Sequence, residues 1–360
     1  MNLTQTVELL CQAVDGADWN AERANELLQE MLRLCGTATS TELDEALGHI
    51  AGRVRRSTIA DGDGVAHVAI SGGTLIENGA TPRPLAEALL QRLPDVLETA
   101  RTFADRCLPS EPSEDPWEGV ADEDVLTDVD DLPITHAVFR RHLPDDRGGG
   151  CSLAYLRQWV LPTVAALTRD HEMLARAQDD ARLVRAAAAL RRSNAQWLEF
   201  LLATQLAQPW LVLSTEANRA FELEVDQVAS NFVLKGLVAD VVLAQGVPGE
   251  RNPPDVIDVL RGRAQHSAQG YVQGVFDHYT VAALPFLASG AEVPFEHHVW
   301  NEGVPTDVAP IADGRRLLVL GPPPIVRTWN ARPVFSALRP SVRVVRELDP
   351  AKVRTLAPAG

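Results

Sequence analysis

The chain has 360 residues, more than a single hydrophobic core usually organises, which predicts two or three domains. Its 46% apolar and 23% charged residues are typical of a globular protein. The net charge of −16 argues against a general nucleic-acid-binding protein, because such proteins need a basic face to displace counterions from phosphates.

The N-terminal segment and the cysteine spacing predict a cytoplasmic protein. The segment MNLTQTVELLCQAVDG has an early Glu8 and no basic residue, unlike a secretory signal peptide. The most apolar stretch, from Leu198 onward, is interrupted by polar residues and Pro209, so we predict no membrane-spanning segment. The cysteines lie far apart without a C-x-x-C pair, which favours reduced thiols over disulfides or zinc: Cys11, Cys35, Cys107 and Cys151.

Residues 1–108 are predicted to form a helical domain. The segment ADWNAERANELLQEMLRLCG has Asp18 as an N-cap, apolar residues at helical spacing and Gly36 as the stop. The later segment PLAEALLQRLPDVLETARTFADRCL is predicted to form two helices that meet at Pro94. Residues 109–132 follow as an exposed acidic linker, because this segment has ten acidic residues and no basic residue.

Residues 133–247 are predicted to form a second helical domain that carries a β-hairpin at 211–225. In the hairpin, apolar residues alternate with Glu222 and Glu224, which predicts one solvent-facing side. Residues 255–360 are predicted to form a module of short buried strands with a last short helix. Together these segments predict an α+β fold, mostly α-helical, with a β-hairpin and a small C-terminal α/β module.

Three short motifs are similar to catalytic or ligand-binding motifs but lack the context that the chemistry needs. The ISGG motif around Ser71 has the outline of a nucleophile elbow, but helical segments flank it, which favours helix packing or a turn. The DGDG motif at 61–64 lacks the glycine and glutamate that a calcium loop needs later, which favours a turn. The LGPPP motif at 320–324 cannot form a phosphate loop, because its prolines have no N–H groups.

The segment FEHHVWNEGVPTDV at 295–308 is the best candidate site. Side chains at these positions are predicted to bind a ligand: His297, His298, Trp300, Asn301, Glu302 and Asp307. The adjacent histidines would point to opposite sides of an extended chain, and their spacing matches no metal motif, so we predict no metal or cofactor. We expect the segment to be mainly structural, with Trp300 packed into the C-terminal module and Asn301 or Glu302 hydrogen-bonded to nearby backbone.

A second Trp-Asn pair lies at Trp329 and Asn330, close to Arg327 and Arg332. In a structural interpretation, each asparagine caps a turn and each tryptophan anchors it by packing. In a functional interpretation, the two Trp-Asn loops converge and line a pocket in which Arg327 binds a small anionic ligand.

Three motifs in the C-terminal part of the chain form a recognisable pattern: W-N-E-G-V-P, L-G-P-P-P and W-N-A. This pattern resembles the C-terminal pattern of a family of bacterial proteins to which no function is assigned. The resemblance implies a defined C-terminal module and transfers no catalytic residue.

Because no complete catalytic or cofactor motif is present, the sequence favours a cytoplasmic interaction or regulatory protein. Its helical surface and C-terminal module would bind a protein partner, a second copy of the chain or a small ligand, and neither nucleic acid nor membrane. The alternative is an enzyme with a pocket at 296–307 and 327–332, in which one histidine of the pair acts as general base. In that enzyme Glu302 or Asp307 would orient the histidine, and Arg327 would hold an anionic substrate.

Overall fold

A computed structural model describes residues 1–14, 21–59, 62–108, 132, 134–190, 195–268, 270–321 and 328–356. The chain divides into two compact units, Met1–Leu202 and Ala203–Gly360. This division differs from the predicted domain boundaries, because the hairpin predicted within 133–247 pairs with strands of the C-terminal unit. Apart from Leu132, the predicted acidic linker at 109–132 lies outside the described residues.

The N-terminal unit consists of α-helices that pack through apolar faces. Two of its helices begin at capping boxes, with Asn2 and Thr39 as the N-cap residues. The helices are α1 (Leu3–Ala13), α2 (Ala21–Cys35), α3 (Ser40–Arg56), α4 (Gly62–Glu77), α5 (Arg83–Cys107), α6 (His136–His142), α7 (Arg147–Ala154), α8 (Leu156–Leu167), α9 (His171–Asp179), α10 (Ala181–Ala189) and α11 (Gln196–Leu202).

Helix α5 continues through Pro94, so the prediction of two helices that meet at this proline is wrong. Leu89, Leu93 and Leu97, which lie on both sides of the proline, are fully buried. They form one continuous apolar stripe on the helix. Burial of this stripe outweighs the single hydrogen bond that a proline removes from a helix interior.

The ISGG motif lies within α4, which confirms the helix-packing interpretation. A Cβ atom on Gly72 would lie 2.5 Å from Leu85 Cδ2, so the glycine permits a close approach between helices. Ser71 is buried, and its hydroxyl donates to the His67 carbonyl one turn earlier. The turn predicted for DGDG is wrong at residues 62–64, which begin α4.

The C-terminal unit is built on a five-stranded sheet. Its described residues form these strands and helices: β1 (Gln208–Ser214), β2 (Arg219–Asp226), α12 (Asn231–Leu243), α13 (Pro254–Leu260), β3 (Tyr271–Gln273), β4 (Asp277–Tyr279), α14 (Leu284–Ser289), β5 (Arg316–Gly321), β6 (Thr328–Asn330), β7 (Ser341–Leu348) and α15 (Pro350–Thr355). The strand order is β4-β5-β1-β2-β7, and β3 pairs with β6 in a separate two-stranded sheet. Strands β1 and β5 run parallel, whereas the other neighbouring strands are antiparallel.

The predicted α+β fold, mostly α-helical with a hairpin and a small C-terminal α/β module, is confirmed. The prediction that one side of the hairpin faces solvent is wrong for β1. Trp210 and Val212 pack in the same apolar cluster as α12, while Leu211 and Leu213 pack with β5 and α15 on the other side. None of the described helices is both long enough and apolar enough to cross a lipid bilayer.

Candidate functional site

The segment that contains the adjacent histidines lies beside the short edge strand β4. It begins with a single 3-10 turn at Phe295–His297. The His297 carbonyl accepts a hydrogen bond from the Thr280 N–H at 2.9 Å, and the Val299 N–H donates to the His278 carbonyl at 2.8 Å. The segment therefore extends the sheet locally and is held by backbone hydrogen bonds on this side.

The first residue of α12 holds the segment from another side. The Asn231 side-chain amide donates to the Trp300 carbonyl at 2.8 Å, and its backbone N–H donates to the Gly303 carbonyl at 3.0 Å. The turn that follows is closed by Asp307, whose carboxylate accepts from the Val304 N–H at 2.8 Å. Since the segment is bonded to both β4 and α12, its exposed side chains are presented on a fixed backbone.

Aromatic rings contact one another along this segment. The rings of Phe295 and Trp300 have centroids 4.0 Å apart, and His298 stacks on Trp300 at 5.5 Å. His297 contacts the ring of Phe286 in α14 at 5.6 Å. Phe295 is 71% exposed although it belongs to this array. We call these five residues (Phe286, Phe295, His297, His298 and Trp300) the aromatic face.

Carboxylates lie beside the residues of the aromatic face in the sequence, with no Lys or Arg among them. Residues 264–314 contain six acidic residues and no Lys or Arg. Three of the acids, Glu292, Glu296 and Glu302, are exposed, and none of them forms an ion pair or hydrogen bond within the described part of the chain. Of the arginines that follow this stretch, Arg315 pairs with Asp313, and Arg316 lies near Asp307 and donates to the carbonyls of Thr306 and Val308. The face therefore has uncompensated negative charge.

The two histidines have different neighbours, as expected for adjacent residues. His298 lies under Trp300, with Nδ1 4.0 Å from an Asp277 carboxylate oxygen and Nε2 3.4 Å from the Val293 carbonyl. The carboxylates predicted to orient a histidine do not contact it: Glu302 is exposed and Asp307 bonds to the Val304 N–H. Sequence reasoning missed Asp277, because only the pairing of β4 with this segment brings them together.

Trp300 is only partly buried, so the segment is less deeply packed than the sequence predicted. Asn301 is buried at 8% exposure, but its Oδ1 atom has no partner among the described residues. The side chain that bonds to nearby backbone is Asn231, not Asn301 or Glu302. The hydrogen bond from Asn231 could not be predicted from the sequence, since Asn231 lies far from the segment, at the start of α12.

The two Trp-Asn pairs contact neighbouring residues of α12. Trp329 lies in β6 and its ring contacts Phe232 at 5.9 Å, while the Trp300 carbonyl is bound by the adjacent Asn231. Asn330 pairs with Tyr271 across the small sheet. Both pairs therefore converge on the first turn of α12. Arg327, the predicted anion ligand, lies outside the described residues.

Polar side chains are buried beneath the segment. His278 is 3% exposed, and burial followed by the nearby positive charge of Lys235 holds its pKa well below the usual value. Its Nδ1 lies 3.1 Å from the Phe276 carbonyl, so Nδ1 carries the proton and Nε2, which has no described partner, is an acceptor. The His278 ring is therefore a neutral buried group and not an exposed general base.

Two cavities in the described residues lie in the N-terminal unit. One is a cavity of about 40 Å³ with Ser57, Arg92, Cys151 and Trp159 in its wall, large enough for waters only. The other is an open groove of about 590 Å³ that contains Arg55 and Arg176 with Glu87 and Asp180. The opposite charges in the groove balance, so its electrostatics favour no charged ligand. The described residues also contain no group of three His, Cys, Asp or Glu side chains that could hold a metal ion.

No protein-family model, curated protein or solved structure matches the chain at a significant level. The similarity of its C-terminal motifs to a bacterial family stays a prediction. Function must therefore be inferred from the residues of the aromatic face and their surroundings.

Proposed function

We propose that the protein is a cytoplasmic interaction protein whose C-terminal unit binds a segment of a protein partner through the aromatic face. The observation that carries this proposal is the exposure of Phe295, which is 71% accessible although its ring contacts Trp300 at 4.0 Å. Clustered exposed apolar side chains are typical of interaction sites. Phe and Trp are also among the residues enriched in protein interfaces.

The fixed backbone of the segment supports binding over a purely structural role. Hydrogen bonds from Asn231 and to His278 already hold the loop without Phe295. The Phe295 ring is therefore not needed to hold the fold, and the backbone that carries it is already fixed. Less conformational entropy is lost when a partner covers such a ring.

An enzyme with His298 as general base is the second candidate, and the Asp277 carboxylate 4.0 Å from its Nδ1 favours it. Two features weigh against it. The other ring nitrogen lies 3.4 Å from the Val293 carbonyl, so it is not open to a substrate proton. The Tyr279 ring contacts His298 at 4.8 Å, but the Tyr279 hydroxyl donates to Asp277 and not to the histidine. Negative charge around the aromatic face also disfavours the small anionic ligand that the sequence predicted.

Photocrosslinking in cells that naturally make the protein tests the proposal. Phe295 is replaced by p-benzoylphenylalanine, and Tyr271, which is 47% exposed in the same unit, is replaced in the same way as a control. We expect an adduct of one discrete mass at position 295 and none at position 271. The second substitution Trp300→Ala in the position-295 protein should reduce the yield, because it removes the ring that orients the probe. Equal labelling at the two positions would refute a partner at this face.

A further inference from the structure

We infer that the occupant of the aromatic face is an arginine-bearing, net basic segment of the partner. This inference rests on the proposed function and specifies the chemistry of the partner. Three properties of the face carry it: uncompensated carboxylates, an exposed aromatic ring and a fixed backbone beneath both.

The carboxylates favour a cationic partner. Glu292, Glu296 and Glu302 are exposed and unpaired within the described residues, although other glutamates of the chain form ion pairs with arginine. In the same unit Glu224 and Glu347 each bind an arginine at 2.7 Å. A partner with acidic groups, a nucleic acid or an anionic membrane surface would be repelled by the unpaired carboxylates.

The exposed ring favours arginine over lysine. A guanidinium group is planar and weakly hydrated, so it stacks on an aromatic ring while its N–H groups remain free to bind a carboxylate in the ring plane. Phe295 and Glu296 are adjacent in the 3-10 turn and both are exposed, so a bound segment meets a ring and a carboxylate at neighbouring positions. An ammonium group binds the carboxylate but loses its strong hydration when it approaches the ring.

Fluorescence anisotropy with defined peptides tests the inference. The probe is a labelled 12-residue peptide with about four arginines separated by Gly and Ser; matched peptides contain lysine or glutamate instead. We expect the arginine peptide to bind, the lysine peptide to bind about two- to fivefold more weakly, and the glutamate peptide not to bind. Binding of the arginine peptide should weaken as salt is raised.

Variants separate this face from the general acidity of the protein. Phe295→Ser and the triple variant Glu292→Gln, Glu296→Gln, Glu302→Gln should each weaken arginine-peptide binding at least several-fold. The control triple variant Asp122→Asn, Glu123→Gln, Asp124→Asn removes the same charge from the acidic segment and should have a smaller effect, and Tyr271→Ser should have none. Equal loss in the two triple variants would mean that the peptide binds by net charge alone and would overturn the inference.

The two proposals fail in different ways. If a partner crosslinks at position 295 but the arginine peptide binds the Phe295→Ser variant as tightly as the wild type, the proposed function stands. The arginine-bearing occupant is then overturned. Peptide binding at the face without any crosslinked partner in cells would instead overturn the proposed function. A dimer in sedimentation experiments that Phe295→Ser dissociates would show that a second copy covers the face, and would overturn a separate partner.

Discussion

Two surfaces of the C-terminal unit carry carboxylates that differ in their ion pairing. On strands β2 and β7 the glutamates are paired: Arg346 lies 2.6 Å from Glu222, Arg343 lies 2.7 Å from Glu224, and Arg219 lies 2.7 Å from Glu347. On the aromatic face Glu292, Glu296 and Glu302 have no such partner in the described residues. The strand surface neutralises its own charge, whereas the carboxylates of the aromatic face are not paired within the described residues.

Strand β7 of the paired surface has features that oppose the addition of a further strand. It is an edge strand, and Val345 is a bulged residue: Leu223 pairs with Val344, and Glu222 pairs with Arg346, which leaves Val345 without an opposite residue. A bulge and paired charges on an edge oppose strand addition by a second chain. Val345 is 48% exposed, so exposure of an apolar side chain alone does not distinguish the two surfaces; unpaired charge beside the exposed ring does.

Substitution of the glycine under the aromatic face should have the largest effect. A Cβ atom on Gly303 would lie 2.8 Å from the Asn231 side-chain amide and still closer to the Asp307 carboxylate. Gly303→Ala should displace both groups from their hydrogen bonds to the Trp300 carbonyl and the Val304 N–H. Loss of two such bonds should lower the free energy of unfolding by about 2 kcal/mol, measured by urea denaturation.

A matched control exists in the N-terminal unit. A Cβ atom on Gly48 in α3 would meet nothing within 4 Å, so Gly48→Ala should leave stability unchanged or raise it slightly. Equal destabilisation by the two substitutions would show that the crowding at Gly303 does not support the aromatic face.

Acid should destabilise the aromatic face through His278. Since the pKa of His278 is well below its usual value in the folded protein, the unfolded chain binds the proton first as pH falls. Stability is therefore full above pH ~6.5 and decreases below it, by at most about 1.4 kcal/mol per pH unit for one group. Urea denaturation at a series of pH values should show this slope in the wild type, and a smaller slope in His278→Gln. Identical slopes would assign the acid sensitivity to other groups.

Neutralising the two sets of carboxylates should have the smallest effects, and these should differ in direction. Glu222→Gln, Glu224→Gln and Glu347→Gln together should lower the melting temperature, by less than Gly303→Ala does, because each removes an arginine partner. The triple variant Glu292→Gln, Glu296→Gln, Glu302→Gln should leave the melting temperature unchanged or raise it, because it removes repulsion. A loss of equal size in both variants would remove the distinction between the surfaces.

The sequence predicted most of the regular structure of the C-terminal unit. Alternation of apolar residues with Glu222 and Glu224 gave the hairpin, and Asp349 before Pro350 gave the start of α15, whose N-cap bond forms at 2.9 Å. These signals are local, because a strand period and a cap occupy neighbouring residues. In the N-terminal unit, the predicted break between two helices at Pro94 was wrong, because burial of a long apolar stripe outweighs the local propensity of proline to end a helix.

The candidate site was predicted as a segment and not as a set of contacts. The sequence directed attention to His298 and Trp300, but their partners Asp277 and Asn231 come from β4 and α12. A single sequence contains no pairing information across such separations. The exposure of Phe295 was likewise unpredictable, because a Phe in a short turn is more often buried than accessible.

The pairing of β1 with both β2 and β5 has a consequence during synthesis of the chain. The hairpin is complete once Asp226 has been made, but its outer partners, Arg316 on one side and Ser341 on the other, are added much later. Until then the ribosome-bound hairpin has two open edges, and the apolar side chains Leu211, Leu213 and Phe221 await their packing partners. Such a nascent segment is prone to misassociate and is a natural substrate for chaperones, whereas the helical N-terminal unit is entirely translated before the hairpin begins.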